Sequence, residues 1–432
     1  MAQVFLYDEF NPEDTAMLQA LYSRSPESVA KHVEKVRQTG SGKFMETFYV
    51  GYGHSSIADC GSTTLFIEGL SILADKALQD WPLYCGQETS TRYVDMAKQP
   101  IIDPLNSEQS QKIINDWMDF YKSAMEPVKE HLCHNYPCQA DQDDKVYQRA
   151  INARAFDILR SFLPAGITTQ LSWHTNLRQA YDKLTWLRQY PLTEVRQIAD
   201  QLEQTLKEHY PHSFCQTIDE PQESYRRDIL ANGYYYKTDQ PTKFNFSTNI
   251  KDDELNQQTT AITNRPPKTG LPYFLAELGS CSFEFLLDYG SFRDIQRHRN
   301  GVCRMPLLTA KHGFHAWYLE QLPDALRQQA MTLIAKQIEA VAALPTNEAT
   351  QQYYLALGFL VPCKVTYGLP ASVYTAELRS NQTVHPTLRQ VAHQMIKALQ
   401  ERWPKLQLHA DLSPSVWDIN RGKQTIEEKT NC

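Results

Sequence analysis

The sequence predicts an α+β protein made of two tandem, related units, each helix-rich with a small β-sheet. Three observations lead there. First, apolar residues recur at three- and four-residue spacing over 14–38, 64–80, 108–132, 145–162, 172–188, 192–208, 320–343, 347–359 and 384–402, the pattern of amphipathic helices. Second, strand-like runs are few, and Thr63–Ile67 and Ser282–Leu287 are the best of them. Third, the two halves of the chain can be laid over one another.

The correspondence runs in order. Phe66-Ile67-Glu68-Gly69 followed by a helix matches Phe285-Leu286-Leu287-Asp288-Tyr289-Gly290. Ala155-Phe156-Asp157-Ile158-Leu159-Arg160, leading to Leu163-Pro164, matches Ala356-Leu357-Gly358, leading to Val361-Pro362. Trp186-Leu187-Arg188 and Glu194-Val195-Arg196 match Glu377-Leu378-Arg379 and Thr387-Leu388-Arg389. A repeat this long implies two equivalent folding units rather than a solenoid. The expected division is a first unit at 1–215, a polar connection at 216–268 carrying Tyr234-Tyr235-Tyr236-Lys237, a second unit at 269–419 and a charged, frayed tail at 420–432.

Composition sets bounds on function. The 432 residues suffice for two or three domains, and 42% hydrophobic content supports sizeable cores. A net charge of −7 leaves no global basic surface for nucleic acid, although a local basic pocket for a phosphate remains open. The opening MAQVFLYDEF is acidic and too short in apolar length for a secretory signal, and no apolar run reaches membrane-spanning length. Nine cysteines at scattered spacing fit free thiols in a reducing cytoplasm. His131, His134 and Cys138 in HLCHNYPC would share a helix face. No second ligand pair at zinc-finger spacing follows, so no metal site is expected.

Two short runs carry the chemistry. Arg297-His298-Arg299 lies in the second half and Glu88-Thr89-Ser90-Thr91-Arg92-Tyr93 in the first. They resemble the front and back of one motif, RHR-x7-S-x-R-Y, the signature of the flavin-dependent thymidylate synthases. Other family-like elements stand in order in the first half: Gly53-His54-Ser55-Ser56 with Asp59, Arg160 with Leu163-Pro164, Asn176-Leu177-Arg178, and Arg188 near the place of the late catalytic arginine. There, however, Asp80-Trp81-Pro82 stands where RHR belongs. The second half keeps RHR and Arg379 at the late-arginine place. It has Met305, Leu307 and Thr309 for the Glu, Ser and Arg of the signature, Gly358 for the arginine of R-x-x-LP, Gly368-Leu369-Pro370 for N-x-R, and Asp294 where the family usually has Gln. The resemblance is to the longer, fused versions of the family with two such halves.

Family members are homotetramers with sites built between protomers, so the resemblance implies a homodimer mimicking a tetramer and a composite site taken from both halves. The pieces that survive are complementary. Arg297 and Arg379 would be catalytic. Glu88, Ser90, Thr91, Arg92, Arg160 and Asp294 would meet the substrate, deoxyuridylate (dUMP), with Arg92 and Arg160 on its phosphate. Arg379 would stabilise negative charge developing on the uracil ring. His54, Ser56, Arg297, His298, Arg299, Asn176 and Arg178 would contact FAD. The implied reaction is reductive methylation of dUMP to thymidylate (dTMP), with methylenetetrahydrofolate and NADPH as co-substrates and FAD as cofactor. No protein nucleophile is required, so Cys303 is expected to be a buried small hydrophobe. His174, His212, His312 and His315 are expected to be structural or exposed. Two alternatives belong to other classes: flavin- and folate-dependent C5 modification of another pyrimidine, and a non-catalytic nucleotide-binding relative. Only an enzyme of this type should purify yellow.

Overall fold

In a computed structural model of the chain, residues 9–23, 25 and 27–424 are described. The expectations for residues 1–8 and for 425–432, most of the tail, lie outside them. By contact the chain divides into two units. The first comprises the described residues up to Leu70, Ala77–Glu88 and Gln170–Tyr234; the second comprises Ser71–Lys76, Thr89–Thr169 and the described residues from Tyr235 onward.

In the first unit, Asn11 begins the helix Pro12–Tyr22 by accepting Asp14 N–H at 3.0 Å, with Pro12 at the first helical position where no donor is needed. A second helix, Val29–Thr39, ends at Gly40, whose φ of 62° suits a residue without Cβ. Met17, Leu18, Val33 and Val36 form the buried seam between these helices. The single helix expected over 14–38 is therefore two. A two-stranded sheet follows, β1 (Ser62–Ser71) with β2 (Thr168–Asn176). The helix expected over 172–188 starts only at Leu177, because the residues up to Asn176 are extended and alternate buried with exposed. Asn176 is the N-cap of Leu177–Leu187 and accepts Gln179 N–H at 2.8 Å. Helices Thr193–His209 and Glu220–Gly233 complete the unit.

The second unit holds a four-stranded antiparallel sheet in the order β3 (Phe244–Thr248), β4 (Ser280–Asp288), β6 (Leu360–Gly368), β5 (Val302–Cys303). On β4, Cys281, Phe283, Phe285 and Leu287 face the core in strict alternation. Ser280 pairs with Gly368 and Asp288 with Leu360, so both long strands are matched along their whole length. Helices Leu369–Arg379 and Pro386–Arg402 pack together and against β4. The edge strand β3 and the helix Glu220–Gly233 both fall in the stretch expected to be a partly looped connection.

A pairing at the centre of this unit matters most. After the helix Asp144–Leu159 and a 3-10 turn at Arg160–Phe162, the backbone runs antiparallel to the stretch before β6. Gly358 N donates to Ser161 O at 2.8 Å, Leu357 N to Leu163 O at 2.9 Å, Ala165 N to Leu355 O at 2.8 Å and Gly166 N to Tyr353 O at 3.0 Å. One partner overlaps the R-x-x-LP stretch Arg160–Pro164, and the other, from the second half of the sequence, ends at Gly358, where the corresponding stretch begins. The periodicity over 347–359 is thus a short helix, Glu348–Gln351, a turn, and then this ladder. Phe162, Trp117, Phe314 and Phe359 close over it, and Trp117 Nε1 donates to Tyr354 O at 3.0 Å.

Gly358 leaves no room for a side chain, since a Cβ there would lie 2.3 Å from the Phe314 ring. The ring is held by Phe162, Tyr318 and Phe359 and cannot swing aside. Gly358→Ala is expected to lower unfolding free energy by about 1–3 kcal/mol through overpacking, read as a lower urea midpoint with unchanged slope.

Candidate active site

The helix Asp144–Leu159 and the turn after it carry Arg154, Asp157 and Arg160 at three-residue spacing, so the three share a face. Asp157 is fully buried. Arg92 Nε donates to its Oδ1 at 2.7 Å and Arg92 Nη2 to its Oδ2 at 3.2 Å. Arg92 also reaches Thr383 O, at 3.3 and 3.4 Å. Arg421 pairs with Asp157 Oδ2 from the other side. Burial alone would raise the Asp157 carboxyl, but Arg421 and Arg92 hold it well below the usual carboxylate range. His385 packs beneath, its Nε2 within 3.3 Å of Asp157 O; burial, then Arg160, keeps it neutral far below the ordinary histidine range.

Arg160 is 2% exposed, yet ionised. Its Nη2 donates to Ser291 Oγ at 2.8 Å and lies 3.9 Å from Asp288 Oδ2. Its Nε is buried with no hydrogen-bond partner among the described residues. Asp288 is the N-cap of the helix Tyr289–Ile295, accepting Ser291 N–H at 2.8 Å and Tyr318 O–H at 2.7 Å on Oδ2. That cap orients the helix so that Arg293 Nη1 donates to Thr91 Oγ1 at 3.0 Å. Ser90 Oγ accepts Arg92 N–H at 3.2 Å, shaping the turn that delivers Arg92.

One residue on, Asp294 is the meeting point. Burial would raise its carboxyl, but Arg379, Arg92, Arg160 and Arg297 hold it below the usual range. Arg297 Nε lies 3.9 Å from Asp294 Oδ1, and Arg379 Nη2 donates to Asp294 O at 2.5 Å. Arg379 Nε donates to His298 Nε2 at 2.8 Å. An arginine only donates, so Nε2 is the unprotonated nitrogen and the ring proton sits on Nδ1. Burial, with Arg379 next to it, pushes His298 down to about 3. Arg299 Nη1 donates to Arg297 O at 3.3 Å. Beside these residues opens a cleft of about 340 Å³, lined by Arg297, His298, Arg299, Tyr273, Tyr367 and Tyr374 among others. The Tyr367 hydroxyl is buried with no hydrogen-bond partner among the described residues. Aromatic walls, guanidiniums and an unused hydroxyl suit a planar, polar, phosphorylated group such as a flavin nucleotide.

The remaining expected site residues lie in the first unit. Glu88 Oε2 accepts from Gln79 Nε2 at 2.5 Å. His54 and Ser56 are exposed, with the His54 ring near those of Phe48 and Tyr52. Asn176 is committed as a helix cap, and Arg178 Nε donates to Asp59 Oδ1 at 2.7 Å. Arg188, the late-arginine counterpart, is clamped by Glu203 at 2.8 Å and Glu223 at 3.0 Å. Where RHR is missing, the positions are structural. Asp80 accepts Tyr234 O–H at 2.7 Å and Trp81 Nε1 donates to Gln179 at 2.8 Å. In the second unit, Met305 and Leu307 are buried, and Cys303 is half-buried rather than buried. His174 is exposed, His212 is paired with Glu46, His312 is half-buried, and His315 caps the helix Ala316–Glu320.

Sequence reasoning missed Asp157, Asp288, Ser291, His385 and Arg421. One signal was available: Arg154, Asp157 and Arg160 put charge at three-residue spacing among the buried Ala153, Ala155, Ile158 and Leu159. The described part of the tail expected at 420–432 belongs to a 3-10 helix, Ile419–Gln424, packed on that helix.

Residues 6–212 match the profile of the family described as "Thymidylate synthase complementing protein". Through these residues, just under half of its length, the chain is similar to that family. The matched stretch contains Glu88 to Arg92, Arg160, Asn176 and Arg178, and stops before RHR. Relatives align over most of the chain. It is 23% identical to a UPF0159 protein of Thermoplasma acidophilum over 91% of this chain and 94% of that one. It is 25% identical to a UPF0159 protein of Chlamydia muridarum, over 88% and 82%. The likeness to a UPF0159 protein of Chlamydia pneumoniae is 23%, over 84% and 79%. Their names state no activity.

Two outcomes follow from the site's electrostatics. Asp157→Asn would leave Arg92 and Arg421 without their buried counter-charge, a loss of about 3–5 kcal/mol in urea unfolding. His298 has a folded pKa below its unfolded one, so between about pH 6.5 and 3 the unfolded chain binds a proton the folded chain does not. This contribution to stability is present above that window and is lost as pH falls through it. By NMR the His298 ring should stay neutral down to pH 5.

Proposed function

We propose that the chain is a flavin-dependent thymidylate synthase-like enzyme, converting dUMP to dTMP with methylenetetrahydrofolate, NADPH and FAD. The observation that carries this reading is the convergence of Arg92, Arg160, Arg297 and Arg379 around the partly buried Asp294 carboxylate, in a protein whose net charge is −7. Two of these arginines come from each half of the sequence, which is what complementary motif losses require.

In the proposed site, Arg92 and Arg160 take the nucleotide phosphate, helped by Ser90 and backbone N–H groups near Thr91. The Arg160 Nε, buried with no partner among the described residues, is a donor still to be used. Arg379 lies against the base, its orientation fixed by His298 Nε2 and Asp294 O. A guanidinium held on two sides stabilises charge growing on the ring with little reorganisation. Neutral His298 contributes an acceptor to Arg379 and an Nδ1 proton to whatever faces it. FAD would supply hydride transfer and relay of the one-carbon unit, held by Arg297, His298 and Arg299 with the tyrosines of the adjoining cleft. His54, Ser56, Asn176 and Arg178 remain proposed flavin contacts and Glu88 a proposed substrate contact. A homodimer and a cytoplasmic location are part of the same reading. No described helix is long and apolar enough to cross a membrane.

A second reading, C5 modification of another pyrimidine, is favoured by Asp294. A carboxylate only accepts hydrogen bonds, whereas an amide both donates and accepts, so Asp294 would favour a base edge that donates. Assaying deoxycytidylate beside dUMP separates the two.

The test is dTMP formation by purified protein supplied with FAD, NADPH and methylenetetrahydrofolate. Arg379→Gln is expected to lower kcat by about 100-fold or more, Arg92→Gln to raise KM for dUMP, and Thr309→Ala to change neither beyond about twofold. Equal losses from all three, or folded flavin-loaded protein with no product, would overturn this reading.

A further inference from the structure

We propose that the C-terminal segment Ser413–Gln424 completes the phosphate site, with Arg421 binding the same phosphate monoester as Arg92. The proposal rests on the reading of Arg92 as a phosphate ligand and extends it to a residue outside the family match and outside every motif.

Arg421 holds two donors with nothing to bind among the described residues. Arg421 Nη1 pairs with Asp157 Oδ2, the oxygen that Arg92 Nη2 also approaches at 3.2 Å. Two guanidiniums therefore crowd one carboxylate oxygen. The Arg421 Nε and Nη2 atoms are buried with no hydrogen-bond partner among the described residues. Leaving charged donors unsatisfied is unfavourable and needs a reason. The guanidinium also lies over the Tyr93 ring, 5.5 Å from its centroid. Tyr93 directly follows Arg92.

The segment is seated by contacts that do not involve Arg421. Trp417 stacks on Tyr136 with ring centroids 5.0 Å apart and planes 12° apart. Arg389 Nη1 donates to Ser415 Oγ at 2.9 Å, and Gln382 Nε2 to Ser413 Oγ at 2.6 Å. Gly422 lies so close to the helix Asp144–Leu159 that a Cβ would be 2.0 Å from Val146 O. A small cleft of about 40 Å³ between the segment and that helix is lined by Arg154, Thr383, Trp417 and Arg421. Thr383 O is the atom Arg92 also contacts.

Charge identifies the ligand class. Arg92, Arg154 and Arg421 gather about the buried carboxylate of Asp157, and with Asp418 also on the cleft wall positive charge remains in excess. A phosphate monoester at neutral pH carries nearly two negative charges and offers three acceptor oxygens, more than the one carboxylate can. Arrival of the phosphate relieves the shared Asp157 oxygen and gives Arg421 Nε and Nη2 their acceptors.

The test uses the full chain and inorganic phosphate as probe, followed by calorimetry or phosphorus NMR, with dUMP and deoxyuridine in parallel. Arg421→Gln should weaken binding of phosphate and dUMP by about 10- to 100-fold and leave deoxyuridine unchanged, with Arg421→Lys intermediate. Gly422→Val, which lifts the segment without removing the guanidinium, should give the same selective loss. Absence of phosphate binding by the unaltered protein would overturn the inference, as would Arg421→Gln binding phosphate as tightly. Failure here is distinguishable from failure of the proposed reaction. Thymidylate formation with an unchanged dUMP KM in Arg421→Gln removes only the role of Arg421. Selective loss of phosphate binding in a protein that makes no thymidylate removes only the reaction.

Discussion

The second unit depends on the antiparallel ladder between Ser161–Gly166 and Tyr353–Gly358. Backbone donors and acceptors buried this deeply must be paired, and here each half of the sequence pairs the other. The ladder fixes where the turn after the helix Asp144–Leu159 ends. That places Arg160 against Ser291 and Asp288 of the opposite half. With Arg160 placed, the same helix carries Arg154 and Asp157 to the spot where Arg92 arrives. Without the ladder, a first-half arginine would have no route to second-half partners.

Electrostatics then hold the assembly. Guanidiniums cannot shed their protons, so burying several of them demands fixed counter-charges. Asp157, Asp288 and Asp294 provide these, each meeting different arginines. The histidines in the cluster take the other course. His298 and His385 stay neutral because burial and adjacent cations disfavour a further positive charge. The cluster is therefore well ordered yet short of negative charge, a state suited to receiving an anion.

Much of this was legible in the sequence, and the unread parts have physical reasons. The α+β class, the strands at Thr63–Ile67 and Ser282–Leu287, and most long helices follow from periodicity. The strand β2 was hidden because Trp173 stands four residues before Leu177, which extends the helical spacing of the following helix back into the strand. The ladder near Tyr353–Gly358 was hidden because a fully buried apolar run reads equally as helix or strand. RHR, STRY and Arg160 stood out through spacing known from a family. Asp157, Ser291 and Arg421 did not, since a buried counter-ion is recognised only once its partners are in place. Arg421 also lies in a short polar stretch whose composition resembles any loose terminus.

The packing over Gly358 has a consequence for how this chain can change. Phe314 occupies the room that any side chain at 358 would need, and Met305 and Leu307, at the places of the signature's Glu and Ser, are packed into the core. A side chain could enter at 358 only after the ring had left, and each step alone would damage the fold. The asymmetry between the halves therefore works as a ratchet. Once the spare half took on packing duty, drift could refine the division of labour but not readily undo it.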